Sequence, residues 1–279
     1  MESQKRLIAI NDISGFGKCS LTVALPIISA CGIETCVLPS AVLSTHTAGF
    51  KGYTFRDLTD DMPAIRDHWV KEGISFDAVY TGYLGSTKQI DYVRDIFDSC
   101  SNEMTVKAVD PAMADNGKLY PGFDEDFVKA MCTLCSAADY VIPNITEACF
   151  LTGIEYKAEG EYDRAYIDAL IASLVDLGCK NIILTGVSYC EGKTGIVVFE
   201  NGEYAYYEHE KLSNSCHGTG DVYASAFVGA LTRGNSAYES ARIAAEYTLE
   251  CIRQTATLDN HWYGAAFELA IPKLIELLK

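Results

Sequence analysis

The sequence predicts an α/β protein on a largely parallel sheet, and two observations carry that expectation. Short apolar runs alternate with longer amphipathic segments through the first two-thirds of the chain, the form that β–α units take. No internal repeat, low-complexity tract or Pro/Gly/Ser-rich linker breaks the pattern, so the 279 residues read as one domain, 1–279, with a sizeable core.

The elements follow in order. Strands are expected at Leu7–Ile10, Thr35–Leu38, Ala78–Thr81, Val106–Val109, Tyr140–Ile142 and Asn181–Leu184, each a short apolar run bounded by polar or turn residues. Helices are expected near Ser20–Ala30, Leu58–Lys71, Thr87–Ser99, Phe123–Ala137, Glu147–Leu151 and Tyr162–Leu177, where apolar residues recur at helical spacing. After Leu184 the pattern changes: "TGIVVFENGEYAYYEHE" alternates around Asn201-Gly202, a hairpin signal. Helices near Asp221–Leu231, Ala237–Arg253 and Phe267–Leu278 complete the chain.

Composition narrows the function classes. A net charge of −16 disfavours nucleic-acid and anionic-membrane partners, which need basic surface, yet leaves room for an anionic nucleotide held by local amides. No segment has the apolar length of a membrane span, and the short apolar run in "MESQKRLIAIND" is too brief for a secretory signal, so a cytoplasmic protein is expected. The eleven cysteines are odd in number and scattered among apolar neighbours, as free core thiols are. Cys132 and Cys135 form a lone C-x-x-C with no second pair for a zinc site.

In open α/β sheets ligands gather at the carboxyl ends of strands, and the polar clusters fall there. "NDISGFGKCS" places Asp12, Ser14, Gly15 and Gly17 in a turn before a helix, an amide-rich pocket whose spacing before Lys18 is not that of a P-loop. "STHT" gathers Ser44, Thr45, His46 and Thr47, which either orient a small polar ring or pair with loop backbone. Tyr83, between glycines, either presents its face to a flat ligand or packs the core. Asp110 and Asp115 in "DPAMAD" suit Mg²⁺, which takes hard oxygen ligands, or are solvated turn residues. Asn144 and Glu147 share a helical face, where they flank a hydrated metal and phosphate or form a cap. Thr185 and Gly186 end a later strand. Last, "HGTGD" sets Asp221 behind a Gly218-Thr219-Gly220 turn at an expected helix start, so Asp221 is either a cap or a base beside an anion site. Jointly these parts suit phosphoryl transfer, which needs amides and a metal for phosphate charge and a carboxylate for the attacking hydroxyl.

In this order, "DPAMAD", "NITE" (Asn144–Glu147) and "HGTGD" resemble the ribokinase-like superfamily of small-molecule kinases, and "STHT" and "TGYLGS" (Thr81–Ser86) resemble its vitamin B6 kinases. The resemblance runs from Leu7 to about Arg253 and implies a three-layer α/β/α fold with a central mostly parallel sheet. It implies Asp221 as catalytic base and the Gly218, Thr219 and Gly220 amides as an anion hole. Asp12, Ser14, His46, Thr47 and Tyr83 would line the ring pocket. Asn144, Glu147, Asp110 and Asp115 would organise Mg²⁺ and ATP phosphates, with Thr185 on the nucleotide side. It further implies a homodimer and a monovalent cation, K⁺ or Na⁺. Two features depart from the pattern or overlap a neighbouring one. Ala112 and Ala114 stand where the family's "DPVMGD" has Val and Gly, which bears on the metal arrangement. The first loop also resembles that of hydroxymethylpyrimidine kinases, but Asp221 and Tyr83 stand where those often have Cys and Met. Ser188–Lys193 and the hairpin Thr194–Glu210 are expected to cover the nucleotide.

Overall fold

The computed structural model describes residues 4–212 and 216–279. Its frame is a nine-stranded sheet, and six strands run parallel at its centre: β2 (Glu34–Leu43), β1 (Arg6–Ser14), β4 (Ala78–Thr81), β5 (Val106–Val109), β8 (Tyr140–Val141) and β9 (Asn181–Val187), side by side in that order. Beyond β9 the chain turns back through β10 (Lys193–Glu200) and β11 (Glu203–Glu210), both antiparallel. A short antiparallel strand, β3 (Phe55–Asp57), forms the opposite edge. The central strands are buried on both faces, which is why they read as continuous apolar runs.

Side-chain alternation along these strands feeds two separate cores. Ile8, Ile10, Val79 and Val109 face one side. There they pack under α2 (Met62–Lys71), α3 (Thr87–Ser99), α4 (Glu125–Ala137), α5 (Ile145–Thr152) and α6 (Arg164–Asp176). Leu7, Ala9, Tyr80 and Ala108 face the other side. That face is covered by α1 (Leu21–Ala30), α7 (Thr219–Arg233), α8 (Ala237–Ala256) and α9 (Phe267–Leu277). The three-layer α/β/α expectation is met, and the layer holding α7 aims its N-terminus at the sheet's carboxyl edge.

Several expectations need correction. Helix α7 begins at Thr219, with Gly218 as its N-cap, so Asp221 is the third helical residue and not a cap. Strand β1 does not stop at Ile10 but runs to Ser14, because its pairing with β2 resumes after an irregularity between Asn11 and Ile13. Asp12 and Ser14 therefore sit on extended strand rather than in a turn. Strand β3 and the two-residue hairpin of β6 (Ala114–Asp115) and β7 (Lys118–Leu119) have no apolar period and were not anticipated. The hairpin about Asn201-Gly202 forms, with both turn residues at positive φ, and it extends the main sheet by pairing with β9. All eleven cysteines are free, and Cys132 and Cys135 both lie on α4. Among the described residues no helix is long and apolar enough to cross a membrane.

The crossing of α1 over α7 decides where the site's helix points. Gly229 permits it: a Cβ there would lie 2.6 Å from Cys31 Sγ and 3.0 Å from Cys31 Cβ. Gly229→Val is expected to destabilise by about 2–3 kcal/mol through overpacking, despite leaving a poor helix residue behind. A thermal unfolding scan showing no loss of Tm would refute that account of the crossing.

Candidate active site

The post-strand loops and the α7 N-terminus meet along the sheet's carboxyl edge. Gly218 makes the turn into α7 in a left-handed conformation, φ 76°. A Cβ here would stand 1.9 Å from the Lys18 carbonyl oxygen, so only glycine fits both the backbone and the space. Gly220 differs: among the described residues a Cβ added to it meets nothing within 4 Å. Among those residues open space therefore borders the first amides of α7, where the unpaired N–H groups and the helix dipole favour an anion.

Asp221 is half-buried beside that space. Burial pushes its carboxyl up to about 7, and the nearby Asp12 carboxylate adds to the rise, while the Ser20 main-chain amide opposes it by donating to the carboxylate. A base poised near neutrality is what abstraction of an alcohol proton asks for. Asp12 is buried and likewise raised, first by burial; its oxygens accept from Ser20 Oγ at 2.6 Å and Ser14 Oγ at 3.2 Å. Ser20 gave no signal in the sequence, yet it touches both acids.

Asp110, at the end of β5, is buried and its carboxyl is driven well above the usual range by burial and by Asp221. Glu147 is also buried and raised, by burial and then by Asp110. Asn144 and Glu147 form the capping box that their spacing allows. Asn144 Oδ1 accepts from Glu147 N at 2.8 Å, and Glu147 Oε2 accepts from Asn144 N at 2.9 Å. Glu147 Oε1 accepts from Met113 N at 3.2 Å, which ties the loop after β5 to α5. Asn144 Nδ2 donates to the Ala114 carbonyl at 2.9 Å, so the backbone at Ala114 is anchored with alanine in place.

Asp115 is exposed and holds the Asn116 turn, accepting from its main-chain N at 2.8 Å. With Asn144, Thr146, Tyr156, Lys157 and Thr185 it lines a cavity of about 370 Å³. Thr185 and Asn144 are joined there by a bridge between neighbouring strand ends. Tyr162, at its far wall, accepts from Ser188 N at 2.8 Å, so the 188–193 turn borders this cavity. A larger hollow of about 740 Å³ between β3 and α2, lined by Arg56, His68 and Trp69, holds none of the converging residues.

The ring-pocket residues divide. Tyr83 is half-buried, close enough to Asp12 and Tyr53 for their charges to raise its hydroxyl further after burial, with its ring 5.5 Å from Phe123. Thr47 is exposed at the rim. His46 is buried, and both nitrogens are engaged: Nδ1 accepts from Ala48 N at 3.2 Å, so Nε2 carries the proton and donates to the Tyr263 carbonyl at 2.8 Å. His46 is thus a wall and a latch, with no nitrogen free for a ligand. Thr45 from the same run is the inward residue, its hydroxyl buried without a partner.

A second feature had no signal in the sequence. The segment between α8 and α9 straps the site's loops together. Tyr263 O accepts from Lys18 N at 3.2 Å as well as from His46, and Ala265 N donates to the His217 carbonyl at 3.2 Å. Trp262 packs on Phe50 at 4.6 Å, and Tyr263 on Phe16 at 4.8 Å.

The metal question turns on charge. Among the described residues no three His, Cys, Asp or Glu side chains converge as a metal cage. Asp12, Asp110, Glu147 and Asp221 nevertheless crowd one edge, and no lysine or arginine figures among the charges acting on them. Oxygen donors without a basic partner fit a cation that keeps much of its own water, as Mg²⁺ does.

A parallel α/β sheet with an anion-accepting helix start and a near-neutral carboxylate at its carboxyl edge defines a small-molecule kinase of the ribokinase-like class. Comparison with known proteins agrees: the family model for phosphomethylpyrimidine kinase matches residues 25–265, and the chain belongs to that family. A Bacteroides thetaiotaomicron protein, provisionally assigned as a phosphomethylpyrimidine kinase and crystallised with pyridoxal, superposes with a TM-score of 0.91 at 36% identity, over 98% of this chain and 96% of that one. Pyridoxal kinase from Lactobacillus plantarum gives 0.90 at 28% identity, over 99% and 98%. The hydroxymethylpyrimidine/phosphomethylpyrimidine kinase of Bacillus subtilis is 25% identical over 221 residues, 77% of either chain.

The raised Asp221 has a consequence for stability. Its folded value, about 7, exceeds the ordinary value of 3.8, so the folded state holds the proton more tightly and stability is lost progressively as pH rises from about 4 through 7. Asp221→Asn is therefore expected to melt above the wild type at pH 8, with the gap narrowing steadily as pH falls from 7 toward 4. Melting curves across that range that run parallel would contradict it.

Proposed function

We propose that the protein transfers the γ-phosphoryl group of ATP to the 5′-hydroxymethyl group of a B6 vitamer, pyridoxal, pyridoxine or pyridoxamine. The observation that carries this reading is Asp221, a carboxylate with its proton affinity near neutrality, one turn inside a helix whose first amides border open space. Asp221 accepts the hydroxymethyl proton as the oxygen attacks. The amides of Gly218, Thr219 and Gly220 bind the phosphoryl oxygens, where preorganised donors lower the barrier most.

The ring lies between Asp12 and Tyr83. Asp12 accepts a hydrogen bond from a ring substituent or ring nitrogen, Tyr83 offers its face, and the buried His46 closes the wall, with Ser14 and Thr47 on the same loops. Nucleotide phosphates occupy the cavity lined by Asp115, Asn144 and Thr185. Asp110 and Asp115 would hold Mg²⁺, with Glu147, whose oxygens already accept main-chain amides, supporting them. When bound, the ion offsets the negative charge that phosphates bring to an already acidic edge.

A second reading has its own support. The matching family model concerns a phosphomethylpyrimidine and the Bacillus subtilis relative both that compound and a hydroxymethylpyrimidine, and this reading assigns the same base to the hydroxymethylpyrimidine alcohol. The relative crystallised with pyridoxal favours the pyridine ring. The two part in a coupled assay with ATP and Mg²⁺ across the three vitamers and the pyrimidine alcohol. Higher kcat/KM on a B6 vitamer is the expected outcome, and a preference for the pyrimidine selects the second reading. On the preferred substrate, Asp221→Asn is expected to lower kcat by about 10²–10⁴-fold with ATP binding retained. A loss below threefold would remove Asp221 from the chemistry.

A further inference from the structure

Ser20 has a backbone that L-residues seldom adopt, φ 56° and ψ −133°, although it is buried and is not glycine. Neither helix capping nor packing asks for a serine in that state. Its side chain caps nothing in α1, and its Oγ is spent elsewhere. Strain of this kind persists where surrounding contacts over-determine it, and an observed outlier at a site invites a functional account. The contacts here are specific. Ser20 Oγ donates to Asp12 Oδ1 at 2.6 Å. A bridge from Ser20 to Ile13 pins the residue against the end of β1, and its carbonyl accepts from Val23 and Ala24 in the first turn of α1. The strained backbone thus joins the end of β1 to the start of α1 with the hydroxyl on the Asp12 carboxylate.

We propose that Ser20 is a positioning residue that orients the ring-anchoring carboxylate of Asp12. This rests on the kinase reading given above. The side-chain bond holds Asp12 toward the ring, and the strained backbone sets the direction of that bond. Ser20→Ala removes only the hydroxyl and keeps a Cβ at the strained φ. Ser20→Gly removes the hydroxyl as well, but relieves the strain and frees the amide to move.

The test is steady-state kinetics on purified wild type and both variants, with KM for ring substrate and for ATP measured separately, beside thermal melting. Loss of a hydrogen bond to a charged group is worth roughly tenfold or more. Ser20→Ala is expected to raise the ring-substrate KM about tenfold, with kcat and the ATP KM within about twofold of wild type. Ser20→Gly is expected to show the same KM rise while melting above Ser20→Ala. A merely structural serine would lower the amount of folded enzyme and leave both KM values alone. Variants with wild-type ring-substrate KM, or a rise shared equally by ATP, overturn the assignment. An inactive wild type overturns the kinase reading and this inference together. An active wild type with indifferent variants overturns the inference alone.

Discussion

Negative charge packed where no lysine or arginine answers it is the constraint on which the rest of this molecule depends. Asp12, Asp110, Glu147 and Asp221 meet at one edge of the sheet, and burial raises the proton affinity of all four. Each is treated differently. Glu147 is satisfied by the Asn144 and Met113 amides, and Asp12 by two serine hydroxyls. Asp221 has one main-chain amide. Among the described residues no donor reaches the Asp110 carboxylate, and it also feels Asp221. The gradient runs from a carboxylate whose work is structural to one that needs a partner brought from outside. The proposed chemistry falls at the poorly satisfied end, where perturbed carboxylates of functional sites are expected.

The fold supplies this arrangement through the ends of its elements. Parallel strands deliver their carboxyl termini to one edge, and the helices that follow deliver their N-termini to the same edge. Acidic side chains and unpaired amides are therefore brought together by topology before any residue is chosen. What residue choice adds is spacing. Gly229 sets the depth at which α7 crosses α1, and Gly218 sets the turn that aims its first amides. The Asn144–Glu147 cap and its bonds to Met113 and Ala114 fix the loop carrying Asp110 and Asp115.

Much of this was legible in the sequence where one physical signal dominated. Ala78–Thr81, Val106–Val109 and Thr87–Ser99 match the observed elements to the residue, because unbroken apolar runs and a clear helical period leave little choice. The Asn201-Gly202 turn was equally plain, since both residues tolerate positive φ. What could not be read depended on partners far along the chain. β6 and β7 are two residues each, and the contacts of their turn with Thr146 and Tyr156 leave no local pattern. Ser20 is an unremarked serine in "GKCSLT" until its backbone angle and two acid partners are known. His46 stood out as a ligand candidate, but its pairing with Ala48 and Tyr263, the latter 217 positions away, turns it into a latch.

That latch bears on how the protein is made. The carbonyl of Tyr263 holds both the glycine-rich first loop and the histidine of the second, and Gly264 lets the strap lie directly on Lys18. The first two loops also bond each other directly, Gly15 N to the Leu43 carbonyl at 2.8 Å and Phe16 N to the Ser44 carbonyl at 3.0 Å. The strap is therefore a reinforcement laid over a pairing already made, and its contacts, distant along the chain, form after the local ones in any order of folding that favours short loop closures.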